Sequence, residues 1–515
     1  MPTSDRELPG SAVPVSYSEA YKRTVALLLM LAYTLNSTDR SIISIIGQAM
    51  KVDLRLSDTQ LGLLAGTAFA TLYAFSGIPI ARLAERFNRV AIISTALVVW
   101  SALTALLGAA AGFTQLLLIR VGIGVGEAGC TPAAHSLISD YFPPARRATA
   151  LSVYSCGISV GYIVGAIVGG YVTLHYGWRA ACVAVGLPGI GVALLLRRLV
   201  REPPRGHSEP PAIRAPAAQP APPAPHRPPG QTFSLKTEAA EVLAVARLLL
   251  LTWPVANIVI GVTIATFVAQ GSYAFVPAFF NRAFGLDYGT IGVVAALTGG
   301  VAVGFGLLAG GFVADLLGAR GMKWYALVPA LGLAISLPFY LLAVLQSDWT
   351  VAAVLLGTAG FFQYVSFGPT FGIVQNVVDT RRRATATALI YVLLNLIGLG
   401  CGPLFTGWTI DRFAEFDFAR PAADTVAKSF AALATPAAAT GASFRASCPG
   451  GRAPATAGGV TRAACAATLA LASRQGILVT LLLYGWASLH YVLAAFGLER
   501  EMRRATLRNA AAAAR

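Results

Sequence analysis

The sequence predicts an all-α membrane protein with twelve spans, arranged as two pseudo-symmetric six-helix bundles. Three observations carry that expectation. First, 56% of the 515 residues are hydrophobic and only 12% are charged, against about 25% charged in an ordinary soluble chain, and the mean hydropathy is +0.66. Second, the chain holds twelve apolar runs that reach the roughly 20 residues needed to cross a hydrocarbon core. Third, short charged sequences between those runs recur at nearly one offset. The first observation excludes an ordinary soluble enzyme, and the high counts of Gly (52) and Pro (29) suit membrane helices, where neighbouring helices re-satisfy broken backbone bonds.

In chain order the runs are 24–50, 60–81, 90–112, 114–139, 146–174 and 179–199, then 250–280, 289–316, 323–345, 349–378, 383–411 and 474–498. The first is far longer than the core of a signal peptide and no small-residue cleavage site follows it, so it is read as a true span. Six runs fall on each side of 200–233, where eleven prolines from Pro203 to Pro229 give an extended, solvated linker. Residues 234–247 read as a short surface helix. The expected organisation is therefore an N-terminal bundle (1–199), a linker with its short helix (200–249), a C-terminal bundle (250–498) carrying an insertion at 412–474, and a basic tail (499–515).

A net charge of +16 invites a nucleic-acid reading, but the basic residues sit between apolar runs. An even number of spans puts both termini on one side, whose segments hold 26 of the 39 Lys and Arg residues; the other side holds 11, seven of them in the long insertion. Long loops count little in the positive-inside rule, so the termini are expected in the cytoplasm and no nucleic-acid partner is expected. The six cysteines form no CxxC pair and no cluster with histidine, so no metal site is expected. Cys448 and Cys465 are the only pair in the insertion, where a disulfide is chemically permitted.

The repeat is visible in pairs. Ala84-Glu85 after span 2 matches Ala314-Asp315 after span 8, and Arg146-Arg147-Ala148-Thr149-Ala150 before span 5 matches Arg382-Arg383-Ala384-Thr385-Ala386 before span 11. Two independent pairs at offsets near 230 point to a duplicated six-span unit, the plan of secondary transporters whose halves rock about a central site. The loop charges Glu85, Arg86, Arg89, Asp140 and Asp315 are candidates for a cytoplasmic gate, since a charged latch can hold in one state and release in another. Glycines at 157, 161, 165 and 169–170 in span 5, and at 398, 400, 402 and 407 in span 11, allow close helix approach. Gly124-Val125-Gly126-Glu127-Ala128-Gly129 formally matches a dinucleotide fingerprint, but it lies inside an apolar span with no preceding strand, where that chemistry has no scaffold.

Ionisable residues inside spans are costly and are functional candidates by default. They are Asp39 and Arg40 in span 1, and Arg120 and Glu127 in span 4. Seven residues separate Arg120 from Glu127, so they share one helix face about 10 Å apart. Counting depth at 1.5 Å per residue puts all four in the same outer half of the membrane. Asp39 and Arg40 point about 100° apart, so they should find different partners. Asn36, His135, Gln270, Tyr273, Gln363 and Tyr364 complete the candidate substrate cavity.

Three stretches together resemble the spinster-like branch of the major facilitator superfamily: Leu56-Ser57-Asp58-Thr59-Gln60-Leu61-Gly62, Gly126-Glu127-Ala128-Gly129, and Ser139-Asp140-Tyr141-Phe142-Pro143-Pro144 with Arg146-Arg147-Ala148-Thr149-Ala150. Ala81-Arg82-Leu83-Ala84-Glu85-Arg86-Phe87-Asn88-Arg89 is similar to that superfamily's G-x-L-A-D-R-x-G-R pattern, with Ala, Glu and Asn at three of its positions. The resemblance implies the major facilitator fold and a proton-coupled transporter, not an enzyme, whose substrate is a sphingosine-1-phosphate-like or lysophospholipid-like molecule. It implies Asp39 and Glu127 in proton coupling, with Arg40 and Arg120 completing the charge network and binding the headgroup. No cofactor beyond the proton gradient is expected, and the partners are membrane lipids and the substrate of a monomeric protein. The Ala- and Arg-rich composition suggests a bacterial inner membrane. A proton-coupled carrier of a small organic anion or drug is the alternative.

Overall fold

The computed structural model describes residues 17–205, 207–208, 235–378, 383–419 and 443–513, apart from the side chains of some helical residues, Glu85 among them. All regular structure among these residues is helical. Span 1 is α1 (Glu19–Leu54), span 2 is α2 (Asp58–Ala65) with α3 (Thr67–Arg86), and span 3 is α4 (Arg89–Leu107). Span 4 is α5 (Phe113–Glu127) with α6 (Cys130–Tyr141), and spans 5 and 6 are α7 (Pro144–Ser155) with α8 (Gly157–Leu199). After the linker comes α9 (Leu235–Leu251), then span 7 as α10 (Trp253–Phe284). Span 8 is α11 (Tyr288–Ala295), a π-helical turn at Ala296–Val301, and α12 (Ala302–Gly318). Span 9 is α13 (Trp324–Leu345), and span 10 is α14 (Trp349–Tyr364) with α15 (Phe367–Val377). Span 11 is α16 (Arg383–Leu393), a π-helical turn at Leu394–Cys401, and α17 (Gly402–Ala419). The insertion contributes α18 (Phe444–Ser447), and span 12 lies in α19 (Gly459–Ala513).

By length and composition, nine helical stretches among the described residues qualify as spans, and one of them, Thr149–Leu199, is 51 residues long. It holds two spans, because Gly177 at φ 83, ψ 166 reverses the chain with almost no loop. That backbone geometry is open to glycine and costly for other residues. Spans 1 and 2 complete the twelve. Span 1 carries charge at Asp39 and Arg40 inside its apolar run, and span 2 is divided at Gly66.

The helix ends are set by side chains that satisfy the orphaned first-turn amides. Ser57 and Gln60 form a reciprocal capping box at α2, Asn88 caps α4, and Asp287 and Asp348 cap α11 and α14. The Thr290 amide bonded to Asp287, and the Thr350 hydroxyl followed by the Val351 amide bonded to Asp348, hold these two carboxyls, both outside the spans, below the usual range. The span ends at 51–57, 285–287 and 443–458 share what we term the insertion face; residues 17–18, 87–88, 142–143 and 201–208 lie on the opposite, terminal face.

The expected solvated linker begins later than its composition suggests. Residues 201–205 and 207–208 fold back onto the N-terminal bundle: Glu202 pairs with the fully buried Arg89 at 2.6 Å, Arg205 donates to the Ala84 carbonyl at 2.6 Å, and Ser208 donates to the Ser139 carbonyl at 2.6 Å. A buried cation needs a counter-charge, and the segment supplies one to Arg89. The remaining prolines fall outside the described residues.

Span 5 packs lengthwise on span 1 through its glycine row. A Cβ on Gly161 would lie 2.2 Å from the Thr34 carbonyl oxygen, and one on Gly165 would lie 2.2 Å from the Ser41 hydroxyl; Thr38 donates to the Gly161 carbonyl at 2.9 Å. Gly161→Val is therefore expected to cost about 1–3 kcal/mol or more through overpacking, read as a lower thermal unfolding midpoint in detergent. Gly191→Val, where a Cβ meets nothing within 4 Å, should leave the midpoint unchanged.

Candidate functional site

Two clusters of buried charge sit at the two depths where the halves meet. The central one gathers the four intramembrane residues. Arg40 Nε donates to Glu127 Oε2 at 2.7 Å, with the Glu127 side chain fully buried and that of Arg40 30% exposed. The guanidinium of Arg40 lies 4.9 Å from the ring centre of Phe69 and 4.6 Å from that of Tyr73. Asp39 turns to a different neighbour, accepting from the Thr104 hydroxyl at 2.6 Å. The Arg120 guanidinium also lies near Phe69, 5.3 Å from its ring centre, and donates to the Leu64 carbonyl at 3.2 Å. The Asp39 and Glu127 carboxyls lie close enough to act on each other, and both act on Arg120. Glu127 is thus held by Arg40, not by the arginine that shares its helix.

Among the described residues, Asp39 Oδ2, Glu127 Oε1, Arg120 Nη1 and both polar atoms of Asn36 make no hydrogen bond although buried. Two acids and two arginines packed this way can hold or release a proton without leaving a large net charge in low dielectric. Span 4 supplies its pair because Gly124 and Gly126 let it press against Phe69 and Trp100.

Facing this cluster, Gln363 accepts from the Tyr340 hydroxyl at 2.5 Å. Tyr273 lies with its ring centre 6.4 Å from that of Tyr162 across the seam and 6.5 Å from that of Tyr364. Gln270 is half-buried one turn before Tyr273, and His135 lies edge-on against Tyr154, 5.3 Å between ring centres. The sequence named Tyr273 and Tyr364 but not Tyr162 and Tyr340, which join them only through tertiary packing.

The loop charges expected as a terminal-face gate lie within single halves here. Arg89 pairs with Asp140 at 2.5 Å and with Glu202, and Asp315 accepts from Tyr325 at 2.9 Å. Arg86 is exposed, and the Glu85 side chain lies outside the described part.

The second cluster was not foreseen, and it bridges the halves on the insertion face. Asp58, fully buried, accepts from Lys51 Nζ at 2.5 Å and from Arg282 Nη2 at 2.5 Å; the two cations are 2% and 3% exposed. Arg282, from span 7, also donates to Gln48 in span 1 at 2.8 Å. In turn Asp411, from span 11, accepts from the Asp58 and Thr59 amides at 3.0 and 2.8 Å, so a carboxylate of one half caps the helix of the other, where the dipole favours it. Backbone closes in around the charges: a Cβ on Gly62 would lie 2.1 Å from the Pro403 carbonyl oxygen, and one on Gly170 would lie 2.4 Å from that of Tyr288. Lys51, Asp58 and Arg282 stand at span ends, where charge reads as ordinary loop charge. Nearby, the exposed Asp53 accepts from Trp178 at 3.1 Å and from Arg179, and these bonds hold its carboxyl below the usual range.

Residues 29–403 match the Major Facilitator Superfamily. An MFS-type efflux pump of Mycolicibacterium smegmatis is 30% identical over 391 residues, covering 75% of this chain and 84% of the relative. A hexuronate transporter of Bacillus subtilis is 28% identical over 417 residues, covering 77% and 89%. Among solved structures, a bacterial homolog of the human lysosomal transporter spinster, in an inward-facing and unoccupied conformation, superposes with a TM-score of 0.76 at 32% identity, covering 94% of this chain and 99% of the homolog. That similarity agrees with the spinster-like motifs.

Removing one partner from a buried ion cluster leaves the others uncompensated, at about 3–5 kcal/mol. Asp58→Asn should therefore lower the thermal midpoint strongly. Asp53→Asn, in a half-exposed pair with Arg179, should cost under about 1 kcal/mol.

Proposed function

Because the chain belongs to the Major Facilitator Superfamily, we propose that this membrane transporter is proton-coupled and moves an anionic, amphipathic lysolipid-like molecule by alternating access. Its setting is a bacterial inner membrane, with both termini in the cytoplasm. The observation that carries this reading is the pairing of a fully buried Glu127 with a partly exposed Arg40, beside a second carboxyl at Asp39. The orientation rests on the distribution of basic residues and on the Cys448–Cys465 disulfide of the insertion face, a bond that persists in oxidising compartments.

The coupling follows from charge balance. Two carboxyls within reach of each other favour sharing a proton, and an adjacent arginine favours their ionised form. Arg40 has the exposure an incoming headgroup needs, while Arg120 is 1% exposed. A phosphate or carboxylate that engages Arg40 weakens its hold on Glu127, and Glu127 then takes up a proton. Anion and proton therefore move in the same direction; a cationic substrate would compete with the proton and give exchange. Arg120 and Asp39 keep the remainder of the cluster neutral while Arg40 changes partner.

Access from the terminal face is supported by the sealing of the insertion face through Asp58, Arg282 and Asp411. The aromatic side chains around Arg40 suit an acyl chain: Tyr33 stacks on Tyr154 at 4.5 Å, and Phe371 stacks on Tyr391 at 5.3 Å. In this cycle Glu85, Arg86, Arg89, Asp140 and Asp315 would form the latch of the opposite state. A second reading, a small organic anion such as a sugar acid, is favoured by the Tyr340–Gln363 hydroxyl-amide pair and by the hexuronate-transporting relative.

The test is uptake of a labelled anionic lysolipid into liposomes containing the purified protein, with and without an imposed pH gradient. Glu127→Gln is expected to abolish gradient-driven uptake while retaining binding; proton coupling that survives this change sinks the assignment. Arg40→Ala should weaken substrate affinity about 10–100-fold, the worth of a hydrogen bond to a charged group. Gradient-driven uptake of hexuronate, with none of lysolipid, would select the second reading.

A further inference from the structure

We infer that residues 443–451 of the insertion, stapled by the Cys448–Cys465 disulfide, act as a strap that locks the two halves together on the insertion face, and that reducing this disulfide releases the lock. The inference rests on the alternating-access reading above and adds a moving part to it. The strap is anchored to the C-terminal half at both ends. From span 11, Glu415 accepts from the Phe444 amide at 2.7 Å, the Arg445 amide at 3.0 Å and the Ser443 hydroxyl at 3.2 Å. At the other end, the disulfide joins Cys448 to Cys465 near the start of span 12, across 17 residues.

Its free edge reaches the other half. Gly450 and Gly451, at φ 67 and φ 85, lie on the end of span 1: a Cβ on Gly450 would come 2.9 Å from the Lys51 carbonyl oxygen and 3.1 Å from the Arg55 Cα, and one on Gly451 would lie 3.5 Å from Lys51 Nζ. The strap therefore covers the lysine that pairs with Asp58 at the seam. Its hold there is narrow. A cavity of about 470 Å³, lined by Arg55, Thr59, Asp411 and Arg445 among others, lies between strap and seam, so the two glycines make the contact in place of a broad packed surface. A contact that narrow depends on the geometry of its anchors, and the disulfide, with both cysteines 1% exposed, is the covalent one. A dithiol reductant would transfer two electrons and two protons to the bond, leaving Cys448 and Cys465 as thiols and itself becoming a disulfide. The span 12 anchor would then be lost, and Gly450 and Gly451 would no longer be held on span 1.

Hydrogen–deuterium exchange of the full chain in lipid nanodiscs tests this. Four samples are compared: oxidised protein; protein reduced with dithiothreitol after folding, with alkylation of both cysteines checked by mass; Cys448→Ser/Cys465→Ser; and Gly450→Val, which keeps the disulfide but places a branched side chain against Lys51. Amides at 58–66 and 288–295 are expected to exchange about tenfold faster in the last three samples than in the first. Faster exchange confined to 443–458, with the seam unchanged, overturns the inference. Reduced wild-type protein decides the matter even where a variant does not fold. Because the readout is conformational, absence of uptake with a responding seam would remove the transport reading alone, and uptake with an unresponsive seam would remove the strap alone.

Discussion

A charge placed in low dielectric must be matched within hydrogen-bond distance or it unfolds what surrounds it. Beside the Arg89 pairings on the terminal face, the described residues bury one such set at the centre and one on the insertion face, and the contact between the halves is arranged around these two. The central set lies wholly in the N-terminal half, on spans 1 and 4 with Thr104 of span 3, so separating the halves does not by itself break its pairs. The insertion-face set is divided between the halves: Lys51 and Asp58 on one side, Arg282 and Asp411 on the other. Opening that face must separate Asp58 from Arg282 and deprive two helix amides of Asp411. Substrate, lipid or water has to replace those bonds, which makes the seam a barrier with a definite composition.

The close helix packing follows from the need to bring these charges together. Backbone approaches of the kind made by Gly62, Gly170 and Gly407 put the insertion-face ends of spans 2, 5, 8 and 11 in direct contact, excluding the water that would weaken the ion pairs. The glycine row of span 5 has two tasks along its length. Gly157, Gly161 and Gly165 fix span 5 to span 1 within a half, whereas Gly170 meets Tyr288 and Gly292 of the other half. Spans 8 and 11 each carry a π-helical turn near the middle, and such turns are frequent at functional sites. Both turns border the seam, Gly299 against Tyr162 and Gly400 against Thr67, where a change in helix direction alters the contact between halves.

Charge inside an apolar run is a rare event, so Asp39, Arg40, Arg120 and Glu127 stood out from sequence alone, and helical periodicity was enough to separate the directions of Asp39 and Arg40. Which arginine holds Glu127 was not legible, because that depends on how spans 1, 2 and 4 cross, with Phe69 of span 2 lying close to both guanidiniums. The seam charges were illegible for a different reason. Lys51, Asp58 and Arg282 sit near helix ends and Asp411 closes an apolar run, places where hydrated charge is ordinary, and only tertiary packing shields them. The turn between spans 5 and 6 was located to within a few residues by composition, although its tightness rests on one glycine backbone at Gly177. In the linker, a proline-rich composition described the segment as a whole and concealed the docking of Glu202 on Arg89, a single pairing that no compositional signal registers.

Span 1 joins the two charge sets mechanically. Arg40 and Lys51 are eleven residues apart on one helix, about 16 Å, and Gln48 between them is held by Arg282 of the opposite half. A helix transmits rotation along its axis with little loss, so a change of partner at Arg40 and a change at the seam are constrained to be compatible. In the proposed cycle this gives the direction of coupling a structural basis. Neutralising Glu127 removes the attraction that fixes Arg40 and with it one restraint on the orientation of span 1. The bonds of Lys51 to Asp58 and of Gln48 to Arg282 then bear more of that orientation, and the strap at Gly450 and Gly451, seated on the last turn of the same helix, adds a further contact that opposes its movement.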